Sequence, residues 1–120
     1  MKRSCNFYSQ IPGFKLIFGG SSNDFFTTYK IGNDPLSPYL NLDLNKEFYS
    51  YNSYNRTSHF GRIIFHTDDV DELYLYFKNN KEISNIIRLE TEPKNASWGE
   101  RYFHLREPDG YQLSFAEPLK

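Results

Sequence analysis

Three histidines, His59, His66 and His104, are the side chains of this sequence best suited to proton transfer or metal binding. Imidazole titrates near neutrality and serves as general acid, general base or ligand. Zinc-type sites usually announce themselves through short fixed spacings between donors, and these histidines show none. Each therefore reads first as a structural or surface residue. No acid or base partner stands at a suggestive spacing from His66 or His104. The single cysteine, Cys5, can form neither an intramolecular disulfide nor a multi-cysteine zinc site, and its expected role is packing in the first helix. Aromatic residues make up 18% of the chain, with 11 Phe and 10 Tyr, enough to furnish a core and a stacking pocket.

The charge balance excludes whole classes of partner. With 14 basic and 15 acidic residues and a net charge of -1, spread without long single-sign runs, the chain has no extended field to grip nucleic acid or an anionic membrane. No run approaches the roughly 20 apolar residues of a membrane span. The N-terminus lacks the apolar core of a secretory signal. A cytoplasmic protein is expected, and 120 residues suit one domain with a modest core.

The elements that must position any site follow from periodicity. Val70, Leu73, Tyr74 and Phe77 recur at i, i+3, i+4 and i+7, which predicts a helix from Asp69 to Asn79, with Thr67 and Asp68 offering N-cap oxygens. Strands are expected before it, Phe60 to Thr67, and after it, Ile86 to Glu92, Arg101 to Arg106 and Gln112 to Glu117. The first half repeats the pattern. A helix at Ser4 to Ile11 stops at Pro12-Gly13, and strands follow at Phe14 to Phe18, Phe25 to Ile31 and Tyr39 to Leu44. A unit used twice indicates a duplicated architecture whose first copy lacks its opening strand. Module 1 spans about 1–45 and module 2 about 59–118. Between them, 46–58 reads as a connection; a sharper reading makes Phe48, Tyr49, Tyr51 and Tyr54 an aromatic flap over a pocket.

The tail from Trp98 to Pro118, WGERYFHLREPDGYQLSFAEP, resembles the last two strands of the glyoxalase/bleomycin resistance protein/dioxygenase (vicinal oxygen chelate) superfamily. Its centre, Glu107-Pro108-Asp109-Gly110, is a tight turn in which Pro presets φ and Gly accepts positive φ. Trp98-Gly99, the 60–71 segment and the run from Asn6-Phe7-Tyr8 to Gly13-Phe14 extend the likeness over nearly the whole chain. The resemblance implies an α+β fold in which paired βαβββ modules form an open, curved sheet around a cavity. Met1 aligns within the run leading into the first helix, so the family's first strand is expected to be missing and to leave a sheet edge open to another chain.

In catalytic members the metal is held by His, Glu or Gln. The first of those positions falls on the missing strand, and the others correspond to Asn41, Arg62 and Ser114. Arg62 is the decisive departure, since a guanidinium has five donors, no acceptor and a permanent positive charge. Ser114 adds only a weak neutral oxygen. No metal and no catalytic residue are therefore expected. Strand alternation groups Asn41 with Tyr39 and Asp43, Arg62 with Ile64 and His66, and Ser114 with Gln112 and Ala116, while Tyr102 and His104 share a face opposite Phe103 and Leu105.

The expected ligand-binding wall is thus Tyr39, Asn41, Arg62, His66, Trp98, Tyr102, His104, Gln112 and Ser114. Arg62 would hold an anion, the amides and hydroxyl would hydrogen-bond, and the aromatics would stack. An alternative pairs Arg62 with Asp43 and fills the cavity. The function implied is a metal-free small-molecule binder without cofactor, acting as a homodimer on an aromatic, anionic or antibiotic-like compound. Two other readings stand beside it: a metal-dependent lyase or dioxygenase using His66, His104 and Asp43, and a noncatalytic assembly subunit.

Overall fold

The first helix stops short of Pro12-Gly13, and the turns that lead to that pair account for the difference. The computed structural model describes residues 1–44 and 61–119 and separates into two units, Met1–Asn52 and Ser53–Lys120. Helix α1 covers Lys2–Tyr8, two residues earlier at its start and three earlier at its end than the apolar pattern predicts. Beyond Tyr8 the backbone tightens into i to i+3 bonds, Gln10 N to Phe7 O and Ile11 N to Tyr8 O. Ile11 is still buried with Cys5, Phe7 and Tyr8, so it joins the core from a turn and not from the helix. Gly13 then takes φ 88°, a left-handed value that glycine adopts without steric cost.

Strands β1 (Phe14–Phe18), β2 (Phe26–Ile31) and β3 (Tyr39–Asp43) follow as an antiparallel meander in the order β1-β2-β3. Tyr29 is wholly buried, and its hydroxyl meets Ser9 Oγ at 2.7 Å. Burial pushes that hydroxyl's pKa up to about 12, so it remains a neutral partner throughout the physiological range. Cys5 lies buried in α1, with its Sγ 3.8 Å from Thr27 Oγ1.

The second unit begins with β4 (Arg62–His66) and continues into α2 (Val70–Asn79). The N-cap is Asp69, whose carboxylate accepts from Glu72 N at 3.0 Å, and not Thr67 or Asp68. A cap must stand immediately before the first helical residue, and the helix starts one position later than expected. A short helix α3 (Lys81–Ser84), which the apolar pattern does not predict, is capped by Asn80 and buries Ile83.

Of the strand expected over 86–92 only Arg88–Leu89 forms (β5), and pairing resumes beyond it in a second short strand, β6 (Lys94–Asn95). Glu90 N and Thr91 N converge on one acceptor, His104 O, which interrupts the ladder, and Pro93 has no N–H to resume it. β7 (Glu100–Arg106) and β8 (Gln112–Pro118) form the long hairpin. The sheet runs β4-β8-β7-β5, with β6 also on β7 and β4 parallel to β8. The first unit is therefore αβββ and the second a βαβββ module carrying one extra helix and one divided strand. This is the expected α+β architecture.

Glu107 explains why the hairpin turn is so well defined. Its side chain is turned back under the turn, where one carboxylate oxygen accepts from Asp109 N at 2.6 Å and Tyr111 N at 3.1 Å. Gly110, at φ 94°, closes the turn by donating to Glu107 O at 2.8 Å. Glu107 is only 4% exposed, so losing its carboxylate strands buried N–H groups. Glu107→Ala is expected to lower the unfolding free energy by about 1–3 kcal/mol in urea titrations. Wild-type stability in that variant would show that the turn does not need the carboxylate.

Candidate functional site

Which face of the second sheet is available for chemistry is decided by its apolar side. Phe65, Phe103, Leu105, Leu113 and Phe115 are buried with Val70, Leu73 and Phe77 of α2. Phe77 meets Phe115 at 5.4 Å and Phe103 at 6.2 Å between ring centroids, while Phe103 and Phe115 stack across the hairpin at 5.5 Å. Side chains alternate along a strand, so fixing these residues under the helix turns their neighbours to the opposite face.

Register then places those neighbours side by side. Arg62, Gln112 and Arg106 form one cross-strand row; Ile64, Ser114 and His104 form the next; His66, Ala116, Tyr102 and Lys94 form a third. Six expected site residues, Arg62, His66, Tyr102, His104, Gln112 and Ser114, thus share one face. Trp98 joins them by stacking on Tyr102, with centroids 5.9 Å apart and planes 21° apart. Tyr39 and Asn41 belong to the first unit, where they share a face of β3 with Asp43; Asn41 Oδ1 accepts from Thr28 Oγ1 at 2.9 Å.

His104 is the centre of the face. Its Nε2 lies 3.0 Å from Arg62 Nη1 and its Nδ1 lies 2.5 Å from Ser114 Oγ. A guanidinium can only donate, so Nε2 must accept and the imidazole proton must sit on Nδ1, donating to Ser114. His104 is therefore neutral in this arrangement. Burial lowers its pKa below the usual histidine value, and the Arg62 cation lowers it further; Glu90 opposes this and Lys94 adds to it. The ring also lies against Tyr102, 4.8 Å between centroids. Trp98, Tyr102 and His104 make a continuous ladder of rings.

Five charged residues on this face, Arg88, Glu90, Lys94, Glu100 and Arg106, were missed in the sequence. Glu90 accepts from Gln112 Nε2 at 2.9 Å and lies 3.2 Å from Arg106 Nε, a coulombic contact without hydrogen-bond alignment. Burial pushes the Glu90 carboxyl up, but Gln112, Arg106 and Arg88 together outweigh it and leave it below the ordinary range. Lys94 Nζ stands 5.6 Å from the centre of the Tyr102 ring, and Glu100 lies 3.7 Å from His66 Nε2. Their positions depend on where the divided strand pairs with β7, which no local pattern reveals. Gln112, expected to face a ligand freely, is already committed to Glu90.

The metal fit is poor on chemical grounds. Arg62 would repel a cation, and the Nε2 lone pair of His104 is taken by that same Arg62. The acidic trio Asp69, Asp71 and Glu117 places one oxygen from each within 4.8 Å of the others. All three are already engaged in holding the fold, since Asp69 caps α2, Asp71 makes a bidentate pair with Arg101 at 2.9 Å, and Glu117 accepts from Val70 N.

Fold and site together define a βαβββ-type module whose polar, ring-lined face carries the Arg62 cation beside His104. The chain belongs to the glyoxalase/bleomycin resistance protein/dioxygenase superfamily, whose family model matches residues 1–115. No curated protein matches the chain. Among solved structures, a hypothetical protein from S. aureus is 18% identical with a TM-score of 0.66, covering 98% of this chain and 87% of that one. A superfamily member from Sphaerobacter thermophilus DSM 20745 is 22% identical with a TM-score of 0.57, covering 94% and 84%. The bleomycin resistance determinant encoded on the transposon Tn5 is 17% identical with a TM-score of 0.60, covering 96% and 86%. At these identities the structural likeness speaks for the fold alone. Among the described residues no helix is long and apolar enough to cross a membrane.

The His104 assignment has a measurable sign. A histidine whose folded pKa lies below its unfolded value leaves the unfolded state binding more protons, so stability falls as pH drops from about 6.5 toward the folded pKa. Urea midpoints should fall across that window in the wild type and fall less in His104→Gln. In proton NMR titration, Arg62→Gln should raise the His104 pKa, because a cation is removed while a donor to Nε2 is kept. An unchanged His104 titration in that variant would sever the coupling.

Proposed function

We propose that this protein is a metal-free small-molecule binder of its superfamily, without cofactor, that holds an aromatic or anionic compound against the polar face of its second module. The observation that carries the reading is Arg62, a permanent cation bonded through Nη1 to the His104 imidazole at the centre of this face. The guanidinium suits an anion and a stack of rings stands beside it, while the buried Ser114 hydroxyl holds the His104 ring in place. Tyr39 and Asn41 are proposed as ligand-contacting residues of the first module.

A cytoplasmic homodimer is part of this proposal. Among the described residues β3 pairs only with β2, whereas β8 in the corresponding place of the second module pairs with β7 and with β4. Such an edge favours pairing with another strand.

Melting curves of chelator-treated protein with Zn²⁺, Ni²⁺, Fe²⁺ or Mn²⁺ test the reading directly. A ligand at a hundred times its Kd adds about 2.7 kcal/mol to the folded state, a shift of several degrees in a domain of this size. No metal is expected to give such a shift, and compounds from an aromatic and anionic panel are expected to. A rise with one metal, abolished in His104→Ala, would overturn the proposal in favour of a metal-dependent lyase or dioxygenase.

A further inference from the structure

The charges on the face choose between ligand classes. Although the chain as a whole carries -1, this face presents Arg62, Arg88, Lys94 and Arg106 against Glu90 and Glu100. Glu90 is engaged by Gln112, Arg106 and Arg88, and Glu100 lies 3.7 Å from His66 Nε2, so the cations of the face still outnumber its carboxylates. Arg62 and Lys94 differ, since their contacts among the described residues are with neutral rings, the His104 imidazole and the Tyr102 phenol. A cation whose partner is neutral keeps its field for an incoming anion. The two flank the Trp98–Tyr102–His104 ladder, and Trp98 is 67% exposed at its open end.

Resting on the binding reading above, we propose that this site selects planar aromatic anions, with the ring system stacked on the Trp98–Tyr102 ladder and the carboxylate or equivalent group held by Arg62 and Lys94. Arg62 need not move far, because one Nη already points along the face toward His104 and the guanidinium has further donors for a carboxylate. Cationic aromatics are disfavoured by the same two residues. The selection is thus by charge first and by ring shape second.

Three matched probes test this: 2-naphthoate, its neutral isostere 2-naphthamide and the cationic 2-naphthamidine, titrated by calorimetry. The chemical shift of the indole N–H of Trp98, the chain's single tryptophan, reports where they bind. The expected order is naphthoate tightest and naphthamidine weakest, with naphthoate affinity falling as salt rises. Arg62→Gln keeps a donor for His104 but removes the charge. It should weaken naphthoate roughly tenfold, as expected for loss of one charge-assisted hydrogen bond, and leave naphthamide unchanged. Lys94→Gln should act in the same direction with a smaller effect. Equal binding of all three probes, or naphthamidine tightest, would overturn the charge selection while leaving the binding reading in place. Binding of none of them by folded protein would remove the binding reading and this inference with it.

Discussion

Burial of one aromatic cluster governs the second module. Phe65, Phe103 and Phe115 must lie under Phe77 of the helix, because no other surface of a module this small can remove four phenyl rings from water. Since alternate residues of a strand face opposite ways, that single requirement aims Arg62, His104, Tyr102 and Ser114 together at the other face. A shift of one residue in any strand would carry charged groups under the helix and rings into water. The polar face is thus as well defined as the core, although its own contacts contribute little to holding the fold.

On that face the ordering principle is electrostatic. Arg62 can neither accept a hydrogen bond nor lose its proton, so every group near it must adapt. His104 adapts by placing its proton on Nδ1 and presenting a lone pair to the guanidinium, and Ser114 completes the chain on the other side. A metal ion would need that lone pair and would meet the Arg62 charge. Arg62 and the tautomer of His104 together disfavour a cation on this face without disturbing the strands that carry them.

The second sheet is stabilised from its helix side, which leaves its other face outside the packing of the core. Distant relatives share the fold over most of this chain at identities near 20%, as expected when parity and core volume are kept and the open face is free to vary. Membership accordingly establishes the scaffold, and the reaction or ligand has to be argued from the residues displayed on it.

Much of this was legible in the sequence. The helical spacing of Val70, Leu73 and Phe77, the turn at Pro12-Gly13 into β1, the Pro-Asp-Gly turn and the alternation of the two last strands are local signals, each set by a few adjacent residues. Parity alone grouped Arg62 with His66, Tyr102 with His104 and Gln112 with Ser114. The expected connection at 46–58, with Phe48, Tyr49, Tyr51 and Tyr54, and His59 lie outside the described residues. Local signals failed where pairing between strands took over: the strand expected over 86–92 ends at Leu89 because Glu90 N and Thr91 N share one carbonyl and Pro93 cannot donate. That break brings Glu90 to Gln112 and Lys94 to Tyr102. The duplicated α+β pattern was set by the sequence through these local signals. Only the tertiary structure decided that Arg62 meets His104 and which tautomer results, because hydrogen bonds between residues 42 positions apart depend on register across three strands and not on any neighbourhood in the chain.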